Sequence, residues 1–277
     1  MYRQQENKDD KLPTCADEII NMSDKYRNLD SGERFLLAAE KLTGDEDVAL
    51  VFMSSFGKRV LETSSVWSMD GTFKTVPDQF AQLYVVHGNS KANKSLPCAY
   101  LLLPDKKAST YERTMDIVLN EVTQAPSVIN IDFEQAVIKS IKSNMPPAVS
   151  ILGCNFHWKK NIFSHVGFKG CLPFFYEDEQ FQIGLDLIYT LCMVPPTDVV
   201  FAWESVVKPH FDEHFDESLE VDEFLDYFER TYIGKPGARG RKNPMFPISM
   251  WNIVERTLSD QASTNNAVES WNARWNR

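Results

Sequence analysis

The sequence predicts an α/β fold in which a mixed sheet is laid down in the order β-β-β-α-β-α-β and is followed by a long helical stretch. Three observations predict it. Short β-rich runs succeed one another at residues 66–73, 82–88 and 97–104, separated by polar or Gly/Pro-containing segments. Helical spacing then alternates with two further apolar runs. After Asn155 the apolar spacing is helical almost to the end, with breaks near Pro195-Pro196, residues 234–237 and Pro244 to Pro247.

The elements follow from local pattern. Residues 1 to about 60 carry helical spacing, as in Phe35, Leu36, Leu37, Ala39 and Leu42, and predict a helical lead-in over residues 1–62 ahead of a core at 63–277. The three β-rich runs predict a meander, with the Asn- and Lys-rich residues 88–95 turning between the second and third strands. Met115, Val118, Leu119 and Val122 then share one helical face, with Ser109 or Thr110 available as cap. Residues 127–132 read as a buried strand ending in an acid, 133–144 as a helix halted by Pro146-Pro147, and 148–154 as the fifth strand. This is the element order of the RNase H fold, in which the first and fourth strands are neighbours.

Composition narrows the functional classes. An apolar and aromatic content of 43% and 12% suffices for a buried core. No run approaches the roughly 20 apolar residues that span a bilayer, and the polar start lacks a secretory apolar core, so the expectation is an intracellular protein without a membrane. Cys15, Cys98, Cys154, Cys171 and Cys192 are odd in number and irregularly spaced, which fits a reducing compartment. The formal charge of −10 opposes a simple nucleic-acid-binding module, but the excess is local: acids crowd residues 212–229, and Lys235, Arg239, Arg241 and Lys242 follow.

Three acids carry the candidate chemistry. Asp70 lies at the end of the first strand and Asp132 at the end of the fourth, so adjacency of those strands would bring two carboxylates together. Each alone also reads as a strand-end Asp that starts a turn. Ser263, Thr264, Asn265 and Asn266 can start a helix that presents Glu269 about one turn in, where a first-turn Glu is also favoured by the helix dipole. Three carboxylates suit Mg²⁺, a hard cation that takes oxygen ligands, and can hold two ions about 4 Å apart for an in-line displacement at phosphorus.

The same residues resemble a known family. Asp70-Gly71-Thr72-Phe73-Lys74 with Pro77, Phe80, Gln82-Leu83-Tyr84 and His87 is similar to the first catalytic block of Mutator-like element (MULE) transposases. Asp132-Phe133-Glu134 with Ala136 resembles the second block, Cys154-x-x-His157 the Cys/His signature, and Thr264-Asn265-Asn266-x-x-Glu269 the third. The resemblance runs from about residue 66 to 277 and implies an RNase H-like DDE transposase that cleaves and joins DNA with two Mg²⁺ or Mn²⁺ ions. It implies that Asp70, Asp132 and Glu269 are the catalytic metal ligands, with Glu134 a neighbouring acid. It also implies that residues of about 172–260 form a large all-α insertion before the last catalytic helix, with Trp251, Asn252 and Arg256 on the helical return.

Further expectations attach to this reading. Cys154, His157, Asn265 and Asn266 are candidate supports of the active site; the Cys/His pair also reads as a packed cysteine with a capping histidine, or as half of a zinc site. Lys159, Lys160, Arg239, Arg241 and Lys242 are candidate DNA-backbone contacts. The implied partners are terminal inverted repeats and target DNA, with homo-oligomerisation on DNA and a nuclear location. Residues 1–60 hold nothing like the zinc-finger module that often precedes such cores, and the last helix is shorter than the family's, which predicts a fragment or decayed copy. Two other readings share the acids: a transposase-derived protein that binds DNA or protein without cutting, and a nuclease acting on RNA or hybrids.

Overall fold

The computed structural model describes residues 13, 15–42, 47–72, 76–90, 94–259 and 266–276. In chain order its elements begin with α1 (Ala16–Ile20), α2 (Asp24–Arg27), β1 (Leu36–Lys41), β2 (Val48–Met53) and α3 (Ser55–Thr63). The meander β3 (Val66–Thr72), β4 (Gln82–Asn89) and β5 (Ser95–Leu103) follows, then α4 (Ala108–Glu121), β6 (Val128–Ile131), α5 (Gln135–Asn144) and β7 (Ser150–Gly153). The rest is helical: α6 (Asn155–Phe168), α7 (Leu172–Glu177), α8 (Glu179–Thr190), α9 (Val199–Ala202), α10 (Lys208–Phe215), α11 (Leu219–Phe228), α12 (Ile248–Trp251), α13 (Val254–Leu258) and α14 (Asn266–Trp275). Short π-helical turns at Trp203–Val207 and Glu229–Ile233 and a two-residue ladder, β8 (Pro236–Gly237) with β9 (Gly240–Arg241), interrupt it.

The strands form one mixed sheet in the order β1-β2-β5-β4-β3-β6-β7. From β3 onward the elements come in the predicted order β-β-β-α-β-α-β, and β3 and β6 are neighbours in the sheet. The meander is antiparallel: Asp70 stands opposite Val85, and Val85 in turn opposite Tyr100.

The expected helical lead-in is corrected. Residues 36–41 and 48–53 are antiparallel strands, and β2 pairs onward with β5, so the sheet gains two strands at that edge. The cause is physical: a six-residue apolar run such as Val48–Met53 has no diagnostic period, and pairing with Ala99 to Leu102 decides its state. Residues 43–46, between the two strands, lie outside the described residues.

Two compact units divide the chain. The first comprises residues 1–129, 134–150 and 267–277, and so holds the meander, α3 to α5 and nearly all of α14. Its core includes Trp67, Met69, Val85, Val86, Ala99, Leu101, Tyr111 and Val118, all buried. Helix α3 lies so close to β5 that a Cβ at Gly57 would meet the Cys98 carbonyl oxygen at 2.4 Å, which is why a glycine stands there. The second unit comprises residues 130–133 and 151–266. Its core is aromatic: Trp158 stacks on Trp251 with centroids 5.0 Å apart, and Trp203, Phe228 and Tyr232 are buried with them. Asp178 caps α8 and Ser218 caps α11 through their side-chain oxygens. No helix among the described residues is long and apolar enough to cross a membrane.

Candidate active site

In the first unit the chemistry centres on Asp70. It lies within β3, two residues before the strand ends, and is only 7% exposed. Alternation along the strand sends Trp67 and Met69 to one face, leaving Asp70 and Thr72 together on the other. A buried carboxylate needs donors, and Asp70 has them: Gly71 N–H donates to Oδ1 at 2.8 Å and Asn272 Nδ2 donates to Oδ2 at 2.6 Å. Asn272 belongs to α14, the helix that also carries Glu269 one turn earlier. The side chains of Glu269 and Asn266, and the whole of Asn265, lie outside the described residues.

Helix α14 is seated on the meander by several contacts. The Trp271 ring meets His87 edge-on at 5.6 Å and Tyr100 at 5.9 Å, and Val268 is buried. Asn276 Nδ2 donates to Thr72 Oγ1 at 2.7 Å. Burial depresses His87 to about 4, so its ring is neutral near pH 7. Glu134, the neighbouring acid, accepts from the Tyr111 hydroxyl at 3.0 Å, and Gln82 Nε2 donates to that same hydroxyl at 2.6 Å.

In the second unit the chemistry centres on Asp132, which directly follows β6. Its Oδ1 lies 2.7 Å from Nδ1 of His157, in the first turn of α6. Cys154 N–H donates to the Ile131 carbonyl at 2.9 Å, tying the start of α6 to the end of β6, and this brings His157 to Asp132. Burial works against charging the His157 ring. The Asp132 carboxylate and the Cys154 sulfur outweigh it, and the ring is raised to about 10. The Cys-x-x-His spacing therefore serves a histidine–carboxylate pair.

Gly153, which the sequence reading did not single out, and Arg256, which it placed on the helical return, hold the neighbouring segments. A Cβ at Gly153 would meet the Phe133 ring at 2.3 Å, so the ring beside Asp132 packs directly on a glycine backbone. The Arg256 guanidinium, 4% exposed, donates to the carbonyls of Gly153 at 3.0 Å, Met250 at 3.1 Å and Asn252 at 3.2 Å. Its role on the helical return is thus to gather the end of β7 and the loop after α12.

The predicted cations differ in availability. Lys160, Arg239 and Lys242 are exposed, while Lys159 places its ammonium 5.4 Å from the Tyr189 ring centroid. Arg241 is committed internally, to Glu229 at 2.9 Å and Glu204 at 2.5 Å. Among the described residues no group of three or more His, Cys, Asp or Glu side chains is arranged to hold a metal ion.

The fold defines a class, an α/β protein with a mixed central sheet; Asp70 in the first unit is held by Asn272, and Asp132 in the second by His157. Residues 66–161 match the family model for the MULE transposase domain. That match bears out the resemblance to Mutator-like element transposases. The match runs from the start of β3 into α6 and contains Asp70, Asp132, Cys154 and His157. No curated protein matches the chain.

Proposed function

We propose that this protein is the RNase H-like core of a DDE-type DNA transposase, with Asp70, Asp132 and Glu269 as its catalytic acids. The observation that carries the reading is the bond between Asp70 on β3 and Asn272 on α14, because it couples the first acid to the helix that bears the third. The Asp132–His157 pair supports it, since a protonated imidazole orients the carboxylate that β6 delivers.

The donor set fits Mg²⁺ or Mn²⁺. Asp70 offers hard oxygens, and Asn272 Oδ1 is buried with no hydrogen-bond partner among the described residues, as suits an acceptor for a metal-bound water. When bound, a pair of such ions would activate a water or a DNA 3′-hydroxyl and stabilise the leaving oxygen. The chain's own residues hold the acids in place: Gly71 and Asn272 direct the two oxygens of Asp70, and His157 holds Asp132. Lys160, Arg239 and Lys242 would meet DNA phosphates. The reading carries with it terminal-repeat and target DNA as substrates, assembly of several copies on DNA, and a nuclear location.

The test uses DNA ending in the terminal inverted repeats of the source element, with Mg²⁺ or Mn²⁺. The wild-type chain should nick at the element end and join the 3′-hydroxyl to target, and Asp70→Ala should lower the rate at least about a thousandfold. Equal cleavage by both proteins would eliminate the reading. A second reading is favoured by the net charge of −10 and the internal pairing of Arg241 and Lys235: a transposase-derived protein that binds without cutting. Binding to the repeats with no metal-dependent nicking would select it.

A further inference from the structure

Two side-chain amides in a repeating pattern join β3 to Asn272 of α14 and to Asn276, the residue just past the helix, whose N–H still donates to the Asn272 carbonyl at 3.0 Å and so keeps the helical spacing. Asn272 Nδ2 donates to Asp70 Oδ2 at 2.6 Å. Four residues on, Asn276 Nδ2 donates to Thr72 Oγ1 at 2.7 Å, with the Thr72 hydroxyl 3.0 Å from Asn276 Oδ1. Helix positions i and i+4 lie about 6 Å apart along the axis on one stripe. Strand positions i and i+2 lie about 6.6 Å apart on one face. The two repeats match, so both bonds form together only when α14 holds one register on β3. A slip of one residue swings each asparagine about 100° around the helix and breaks both.

The ring contacts beside the two amides are less directional. Trp271 meets His87 edge-on and Tyr100 at a tilt, contacts whose apolar part is non-directional. Amide hydrogen bonds to a carboxylate and a hydroxyl are directional and lose most of their strength on misalignment. The choice of asparagine is also chemical. A lysine or arginine opposite Asp70 would neutralise it and compete with a cation, and an aspartate would repel it. A neutral amide orients the carboxylate and leaves its charge available.

We infer that Asn272 is a positioning residue, and that Asn272 and Asn276 form a clip which sets the register of α14 on β3. The clip aims the carboxylate of Asp70 and fixes the height at which α14 presents Glu269. This deepens the reading of Asp70 and Glu269 as metal ligands and rests on it for its consequence, though not for its geometry. Asn272 acts through the acid, to which its Nδ2 donates.

The test uses the full chain and two independent readouts. In thermal unfolding with chelator present, Asn272→Leu and Asp70→Ala should be coupled: the midpoint shift caused by Asn272→Leu should shrink at least threefold in the Asp70→Ala background. Additive shifts would overturn the clip whatever the protein does with metal. In Mn²⁺ titration calorimetry, Asn272→Leu should weaken binding at least tenfold, Thr72→Val at least threefold, and Thr72→Ser should restore the wild-type affinity. Unchanged Mn²⁺ affinity in Asn272→Leu, where the wild type binds and Asp70→Ala does not, would overturn the positioning role. A wild type that binds no Mn²⁺ while the unfolding coupling persists would refute the metal reading and leave the clip standing.

Discussion

The pairing of His157 with Asp132 makes a prediction that can be worked through from its geometry. The imidazole Nδ1 is 2.7 Å from Oδ1 of the carboxylate, and the ring is raised to about 10 despite its burial. An ordinary histidine titrates near 6.5, so the raised value bounds the contribution of the charged pair at roughly 5 kcal/mol. Asp132 is 36% exposed, and solvent screening of that carboxylate reduces the figure to about 2 kcal/mol. Because the folded-state value lies above that of the unfolded chain, this stability is complete below pH 6.5 and is lost as pH rises through about 10. The direct assay is nitrogen NMR of the His157 ring in chelator. Both ring nitrogens should remain protonated at about pH 8, and Asp132→Asn should lower the titration from about 10, because burial is then opposed by the Cys154 sulfur without the carboxylate. In urea unfolding, the wild type should lose about 2 kcal/mol more than His157→Gln between pH 6.5 and 10. A neutral ring at about pH 8 in the wild-type protein, or parallel pH profiles for the two proteins, would refute the reasoning.

Other perturbations follow from the same contacts. Gly153→Ala would drive a methyl into the Phe133 ring, where the built contact is 2.3 Å, and should cost about 1–3 kcal/mol in urea unfolding; an unchanged midpoint would show that the ring has room to yield. Arg256→Met removes donors from three carbonyls and should cost about 2–4 kcal/mol after the relief of a buried charge is allowed for, with neutral stability as the contrary result. His87, depressed to about 4, makes the opposite pH prediction: its stability is complete above pH 6.5 and is lost as pH falls through about 4, by up to about 3 kcal/mol. His87→Phe should flatten that acid limb, and a wild-type limb unchanged by the substitution would sink the assignment.

Local pattern determined much of this protein. From Val66 onward, strand alternation, helical spacing and the breakers at Pro146-Pro147 and Pro195-Pro196 were enough to order the elements, because side-chain period is a local property of the backbone. The same pattern put Asp70 and Asp132 at strand ends; Asp132 directly follows β6, while Asp70 sits two residues inside β3. It misread residues 36–41 and 48–53, whose short apolar runs suit either state until β5 supplies partners. Nothing local marked Asn272, which reads as an ordinary helix asparagine until α14 is laid on a strand 202 residues away in the chain. The sequence reading named Arg256 and Glu134 but not their partners: Arg256 reaches Gly153 across 103 residues, and Glu134 accepts from the Tyr111 hydroxyl. Which acids the sequence offers is thus a matter of residue identity and period. How each is held is a matter of directional bonds between distant segments, and those exist only once the chain has folded.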